Sequence, residues 1–263
     1  QLKDLCGAGV VLRLIEGITS FEESLKYYDI AAIATVADVV PLKGDNRAIV
    51  KKGLELINNH SRKGLDKLIK SFTKENITSL DIGFKLAPRI NAVGRLDNTN
   101  KLIDLFIDND DFVLETLVEE INETNIKRQT MTKKLLEEVK DSLSGYDFDK
   151  YPIIVLYGKN WDEGVLGIVA AAIMQEYNHP VILFTQNGEK LKGSGRSIPG
   201  VNIFDCVSQA SEILDRFGGH PQACGISLDK DKLEEFKNII NIYCKNTYQN
   251  DVFLKDINEY FDF

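Results

Sequence analysis

Only three histidines, His60, His179 and His220, and four cysteines, Cys6, Cys206, Cys224 and Cys244, occur among 263 residues. No two histidines are adjacent, and the cysteines lie far apart with no Cys-x-x-Cys pair. Neither a zinc site nor a disulfide framework is suggested, and the thiols read as reduced core residues. No apolar run reaches the roughly 18 residues of a membrane span, so no membrane association is expected. The start, Gln1-Leu2-Lys3-Asp4, has neither an initiator methionine nor a signal-peptide pattern, and the chain reads as an internal piece of a cytoplasmic protein. Internal repeats and low-complexity segments are lacking too. Positive charge is short: 32 Lys and Arg against 40 Asp and Glu leave a net charge of -8. That excludes a surface coated with phosphate-neutralising charge, but a local basic cleft remains compatible with it. With 43% hydrophobic and 27% charged residues, the composition suits a globular chain of two ordinary domains.

What is present centres on Arg216 to Gly225, Arg-Phe-Gly-Gly-His-Pro-Gln-Ala-Cys-Gly. Adjacent glycines before a histidine are costly in a buried element unless the backbone must approach something closely, and a phosphate is the natural ligand. Upstream, Lys192-Gly193-Ser194-Gly195-Arg196-Ser197 gathers small residues, hydroxyls and a guanidinium, as anion binding requires. The alternative is a pair of glycine-rich hairpin turns, with Arg196 paired to Asp205 or Asp215.

Residues 5–15 have apolar positions too dense for an exposed helix, which predicts a buried one. Residues 30–42 form an Ala-rich apolar run that Pro41 must end, with Asp38 set in it. A carboxylate there needs a cation, a metal or hydrogen-bond donors, and Arg47 is the alternative partner. Helices are predicted over 46–59 and 64–72. Over 80–97 a helical pattern stops before Pro88, predicting a loop that carries Arg89, Asn91 and Arg95 into a cleft; Asp81 and Asp97 are alternative partners for the arginines.

Residues 111–144 contain no proline or glycine and end at Gly145, predicting a helix about 50 Å long at ~1.5 Å per residue. Its apolar stripes, Leu114, Leu117, Val118 and Ile121, then Met131, Leu135, Val139 and Leu143, flank a polar centre that holds Asn125 and Arg128. Such a helix joins two domains across solvent; a solvated face or a coiled-coil dimer is the alternative, though the interrupted stripe disfavours a heptad. The expected organisation is residues 1–110, a bridging helix 111–145, a domain 146–250, and a tail 251–263 that is a linker or the start of a further, strand-rich domain. The second domain reads as strand, helix, strand, strand, helix, strand, helix, a mixed α/β layer fold. Residues 164–167 are expected to offer free amides at a helix N-terminus.

Gly-Gly-His followed by Ala-x-Gly, after Gly-Ser-x-Arg-Ser, resembles the DHH-associated domain of DHH-family phosphoesterases. Thr-Val-Ala-Asp-Val-Val-Pro-Leu at 35–42, Pro-Arg-Ile-Asn-Ala-x-Gly-Arg at 88–95 and Asn-x-x-Arg-Gln at 125–129 resemble, within that family, the RecJ-type single-strand-specific exonucleases. The likeness covers nearly the whole chain, although the Asp-His-His triplet is absent. It implies an α/β fold: the remnant of a DHH catalytic domain, a long bridging helix and a mixed-sheet DHH-associated domain. It implies metal-dependent 5′ to 3′ hydrolysis of single-stranded DNA in repair and recombination by a monomer using two Mn²⁺ or Mg²⁺ ions, with a cleft too narrow for a duplex. Asp38 is then a metal ligand. Arg89, Asn91, Arg95, Asn125 and Arg128 bind substrate, and Ser194, Arg196, Gly218, Gly219 and His220 hold a terminal phosphate. The remaining metal ligands are missing, so this stretch by itself is expected to be inactive. Where the family commonly has a histidine and a basic residue, this chain has Asp162 and Ala172, which weakens contacts there. Two other readings stay open: a DHH enzyme acting on short RNA or cyclic dinucleotides, and a non-catalytic nucleic-acid-binding protein.

Overall fold

The computed structural model describes residues 4–254, which divide into two compact units on either side of the Arg128–Gln129 bond. Among the described residues the first unit is helical: α1 (Gly7–Ile18), α2 (Phe21–Ser24), α3 (Tyr28–Ala37), α4 (Gly44–Asn58), α5 (Lys63–Lys70), α6 (Ser79–Asp81), α7 (Ala87–Leu96), α8 (Asn100–Ile107) and the first part of α9 (Asp111–Ser142). The alanines of α3 let it sit at the centre. A Cβ at Gly53 of α4 would collide with Ala32 and the Tyr28 carbonyl, so the two helices meet at backbone distance. Leu12, Tyr28, Ile49 and Val50 form one cluster around α3, while Ile33, Leu68, Ile82, Leu86, Leu114 and Ile121 form another. Asp29, 1% exposed, receives Arg62 Nε at 2.7 Å, and the same guanidinium donates to the Phe106 carbonyl at 2.7 Å.

Pro88 does not end a helix. Residues 82–86 make a π-helical turn, closed by the Ala87 N–H on the Ile82 carbonyl, that runs directly into α7 with Pro88 at its second position. The expected loop over 88–97 is therefore helix as far as Leu96.

The second unit carries a five-stranded sheet in the order β1-β2-β3-β5-β4, comprising β1 (Ile154–Gly158), β2 (Val181–Asn187), β3 (Lys190–Arg196), β4 (Arg216–His220) and β5 (Ala223–Asp229). β1 and β2 are parallel and joined through α10 (Glu163–Tyr177); the other pairings are antiparallel. One face packs on α10 and the later part of α9 through Leu135, Val139, Val169, Ile173 and Leu183. The opposite face packs Phe184, Leu191 and Ile226 against α11 (Ile203–Ser208) and α12 (Leu233–Thr247), which supply Val207, Phe236 and Ile240. Asn241 of α12 accepts from Ile153 N at 2.7 Å and donates to Ile153 O at 3.2 Å, fixing the entry to β1.

β4 is the strand that sequence reading missed, because its two glycines and five exposed residues lack the alternation of a half-buried strand. The helix expected over 202–214 is shorter: α11 ends at Ser208 and a 3₁₀ turn follows over Ser211–Ile213. Of the tail, Asn250–Phe253 form a 3₁₀ turn, and residues 255–263 lie outside those described. No described helix is long and apolar enough to cross a membrane.

Candidate nucleic-acid interface

Alternation along β3 puts Lys192, Ser194 and Arg196 on the face toward α10, and Leu191, Gly193 and Gly195 on the other. Arg196 Nη1 donates to the Gly195 carbonyl at 2.7 Å and to Ser194 Oγ at 3.3 Å, which lays the guanidinium beside the hydroxyl. Gly167 makes room for both. A Cβ there would lie 2.7 Å from Arg196 Nη2 and 2.9 Å from Ser194 Oγ. The residue is buried in the interior of α10, where glycine is otherwise unfavourable. The sequence expectation of a free amide at Gly164 is corrected: its N–H donates to Asp162 Oδ1 at 2.8 Å, an N-cap.

The sheet register extends this face outward. Arg196 pairs with Ala223, which pairs with His220; Ser194 with Gly225 and then Gly218; Lys192 with Ser227 and then Arg216. The glycines of the two motifs have different reasons to be glycine. Gly193 and Gly195 point into the opposite core, where a Cβ would strike Phe184 or, at 2.5 Å, Cys224 Sγ, so they do not open a path to an anion. Gly219, at φ 156°, is fixed by contact with Ala223. Gly218 and Gly225 are exposed, and a Cβ on either would meet nothing within 4 Å. His220 Nδ1 accepts from Gln222 N at 3.3 Å, which leaves the proton of a neutral ring on Nε2. Asp215 is engaged by Lys190 at 2.7 Å and Asp205 by Asn202 at 2.7 Å.

In the first unit Asp38 caps the C-terminus of α3, with its N–H on the Ala34 carbonyl at 3.0 Å. Its carboxylate meets neither Arg47 nor any other cation or donor among the described residues. A helix C-terminus already carries partial negative charge, so an added carboxylate there calls for a cation. Val39, immediately after it, holds φ 55° at 86% exposure, a strained conformation for a β-branched residue. Asp38 and Asn91 share the wall of a cavity of about 450 Å³ that is otherwise lined largely by Cys6, Ile30, Ile33, Ala34 and Ile90.

Along α7, Arg95 follows Asn91 by one turn. Burial and the nearby Arg95 charge hold the Arg128 guanidinium below the usual arginine range. Asn125, 3% exposed, accepts from Arg128 Nη2 at 3.0 Å and so aims it. Asp38 and Asn91 thus border one cavity beside the middle of α7, and Arg95, one turn on, lies near Arg128, which Asn125 holds. Arg89 belongs to neither group. Its Nε donates to Asn122 Oδ1 at 2.9 Å, its Nη1 to the Lys85 carbonyl at 2.7 Å, and its guanidinium lies 4.5 Å from the Phe72 ring centre, so one donor ties α7 to α9 and the other is spent on the turn before α7.

Residues 150–246 match the DHHA1 domain family. The chain is 36% identical over 256 residues to the Bacillus subtilis single-stranded-DNA-specific exonuclease RecJ, covering 96% of this chain and 32% of that protein. It is 34% identical to the Haemophilus influenzae protein of the same name, covering 91% and 46%. Among solved structures, RecJ from Thermus thermophilus in complex with Mg²⁺ superposes with a TM-score of 0.77 at 34% identity, over 85% of this chain and 35% of that one. An exonuclease RecJ bound to manganese superposes with a TM-score of 0.78 at 32% identity, over 92% and 60%. The chain thus spans about a third to somewhat under half of these curated relatives, and over that span its sequence and fold are similar to those of the RecJ family, with the DHHA1 match in its second unit.

Proposed function

We propose that this chain supplies the DNA-holding part of a metal-dependent exonuclease that degrades single-stranded DNA from a 5′ end, acting in repair and recombination as a cytoplasmic monomer. The observation that carries it is the Ser194–Arg196 pair, laid side by side on β3 in the space that Gly167 leaves. A guanidinium fork and a hydroxyl are the donors a terminal phosphate requires. His220 offers its Nε2 proton from the same face, and the names of the relatives supply the substrate class.

Asp38 fits a hard divalent cation as one oxygen ligand: it is unpaired, at a negative helix end, in a cavity shared with the Asn91 amide. Among the described residues no three His, Cys, Asp or Glu side chains gather around a common point, so Asp38 stands as a contributor to a larger ligand set. When bound, Mn²⁺ or Mg²⁺ neutralises phosphate charge and lowers the pKa of its water. This chain's own residues hold the substrate. Arg95 and Arg128 take backbone phosphates, with Asn125 fixing the second arginine, while Ser194, Arg196 and His220 take the strand end.

Arg196→Ala tests this reading. Each charge-assisted hydrogen bond contributes about 1.5 to 3 kcal/mol, so affinity for 5′-phosphorylated oligonucleotides should fall about tenfold or more, with little change for 5′-hydroxyl strands. Equal losses for both would make Arg196 a general backbone contact and remove the end-reading role.

A further inference from the structure

We infer that the α10-side face of β3, β5 and β4 holds a second nucleic-acid subsite, built by Arg216, Lys192 and Ser227, that grips the phosphodiester backbone of a single strand inward from its end. The inference rests on the end-phosphate role of Arg196 and Ser194 and extends it. Arg216, Ser227 and Lys192 are register partners, so their side chains emerge in one row on the face that carries Arg196, Ala223 and His220 in another. Between the two rows runs Ser194–Gly225–Gly218, which has no side chain on its outer two strands.

Neither Gly218 nor Gly225 has a positive φ, and a Cβ on either would enter open space. Nothing inside the protein requires glycine at two adjacent exposed positions. A ligand lying on the backbone there does. The space above is a cavity of about 360 Å³ bordered by Lys192, Arg216, Gly218, Gly225, Ser227 and Glu163.

Charge and spacing identify the ligand. Arg216 is exposed and has no acidic partner among the described residues, while Lys192 Nζ is held at 3.0 Å by Glu163 Oε2. The two rows are four residues apart along each strand, about 13 Å at ~3.3 Å per residue. One phosphate cannot reach both, whereas successive phosphodiesters of an extended strand can. The flat glycine floor admits sugar and backbone without reading bases, so the grip is independent of sequence.

The test compares a 5′-phosphorylated mononucleotide with a 5′-phosphorylated octanucleotide, measured by fluorescence anisotropy and competition at low salt on the chain and its Arg216→Ala, Lys192→Gln and Gly218→Val variants. Arg216→Ala should weaken the octanucleotide about tenfold and lower its salt slope by about one, with the mononucleotide unchanged. Lys192→Gln should act in the same direction. Gly218→Val should impair the octanucleotide without lowering the thermal midpoint. The subsite is refuted if the native chain gains no affinity with length, if the Arg216 and Lys192 variants bind the octanucleotide as the native chain does, or if they lose equally on both ligands. Failure of the end-reading role appears elsewhere, in the comparison of 5′-phosphate with 5′-hydroxyl strands for Arg196→Ala.

Discussion

Gly167→Ala separates anion binding from stability, because the same methyl group helps the helix and harms the site. In the interior of α10 the change from Gly to Ala stabilises by about 0.5 to 1 kcal/mol. Against that, the new Cβ would lie 2.7 Å from Arg196 Nη2 and 2.9 Å from Ser194 Oγ. Both atoms end flexible side chains, so they can shift while the backbone stays in place. The shift loosens the 2.7 Å bond from Arg196 to the Gly195 carbonyl and the 3.3 Å bond to Ser194, each a charge-assisted bond at a half-exposed site. Because both bonds are loosened and neither is broken, about half of the lower-end value of about 1.5 kcal/mol is lost from each, about 1.5 kcal/mol together, which slightly exceeds the helical gain. The thermal midpoint should therefore move by no more than about 4 °C. Binding has no such compensation: a displaced fork and hydroxyl forfeit about 1.5 to 3 kcal/mol toward a phosphate, ten- to roughly a hundredfold in affinity. Differential scanning calorimetry and anisotropy with a 5′-phosphorylated oligonucleotide read the two quantities. Unchanged affinity with a midpoint lowered by many degrees would refute the reasoning, since Gly167 would then serve packing alone.

Tyr146, half-buried with its hydroxyl within 3.3 Å of the Ile153 carbonyl, is pushed up by burial to about 12 from an ordinary 10.0. Its folded-state pKa is the higher one, so its contribution is intact below pH ~10 and lost as pH rises toward 12; Tyr146→Phe should flatten this part of the alkaline unfolding profile. Arg62→Ala leaves Asp29 buried without its partner and should cost about 3 to 5 kcal/mol in urea unfolding; a loss below 1 kcal/mol would show that Asp29 finds another donor. Mn²⁺ should broaden the NMR signals of Asp38 and Asn91 before others, and Asp38→Asn should abolish the effect. In Mn²⁺-supplemented digestion of 5′-phosphorylated single-stranded DNA the 263-residue chain should release no more nucleotide than Asp38→Ala, and activity above that control would refute the reading of Asp38 as one ligand among several.

Much of this was legible from periodicity. The stripe Leu114, Leu117, Val118 and Ile121 is buried as its spacing predicts, and β1, β2 and β3 fall on apolar or small-residue runs between turn signals. Where one local rule has two outcomes, reading failed. Pro88 can end a helix or begin one, and only the π-turn before it decides. β4 pairs with β5 despite poor strand propensity, so its existence is a tertiary fact. For the site, the Ser194 and Arg196 alternation was visible, whereas Gly167 could not be assigned, because the side chains it accommodates come from a strand more than twenty residues later. Arg89 illustrates the converse: an arginine in a recognisable motif with one donor on a neighbouring helix and another on the turn before its own.

The stitch between Asn241 and Ile153 has a consequence for biosynthesis. It joins residues 88 apart in sequence, and the Ile153 N–H depends on it while that residue stays fully buried; the Ile153 carbonyl also accepts from the nearby Tyr146 hydroxyl. As the chain leaves the ribosome, the β2–β3 and β4–β5 hairpins can close from local contacts, but the Ile153 N–H at the entry to β1 stays unsatisfied until α12 has emerged. The second unit therefore acquires its native hydrogen bonding only after Asn241 is translated. Nascent chains arrested before that point should remain sensitive to protease around residues 150–156, and those arrested well beyond it should be resistant.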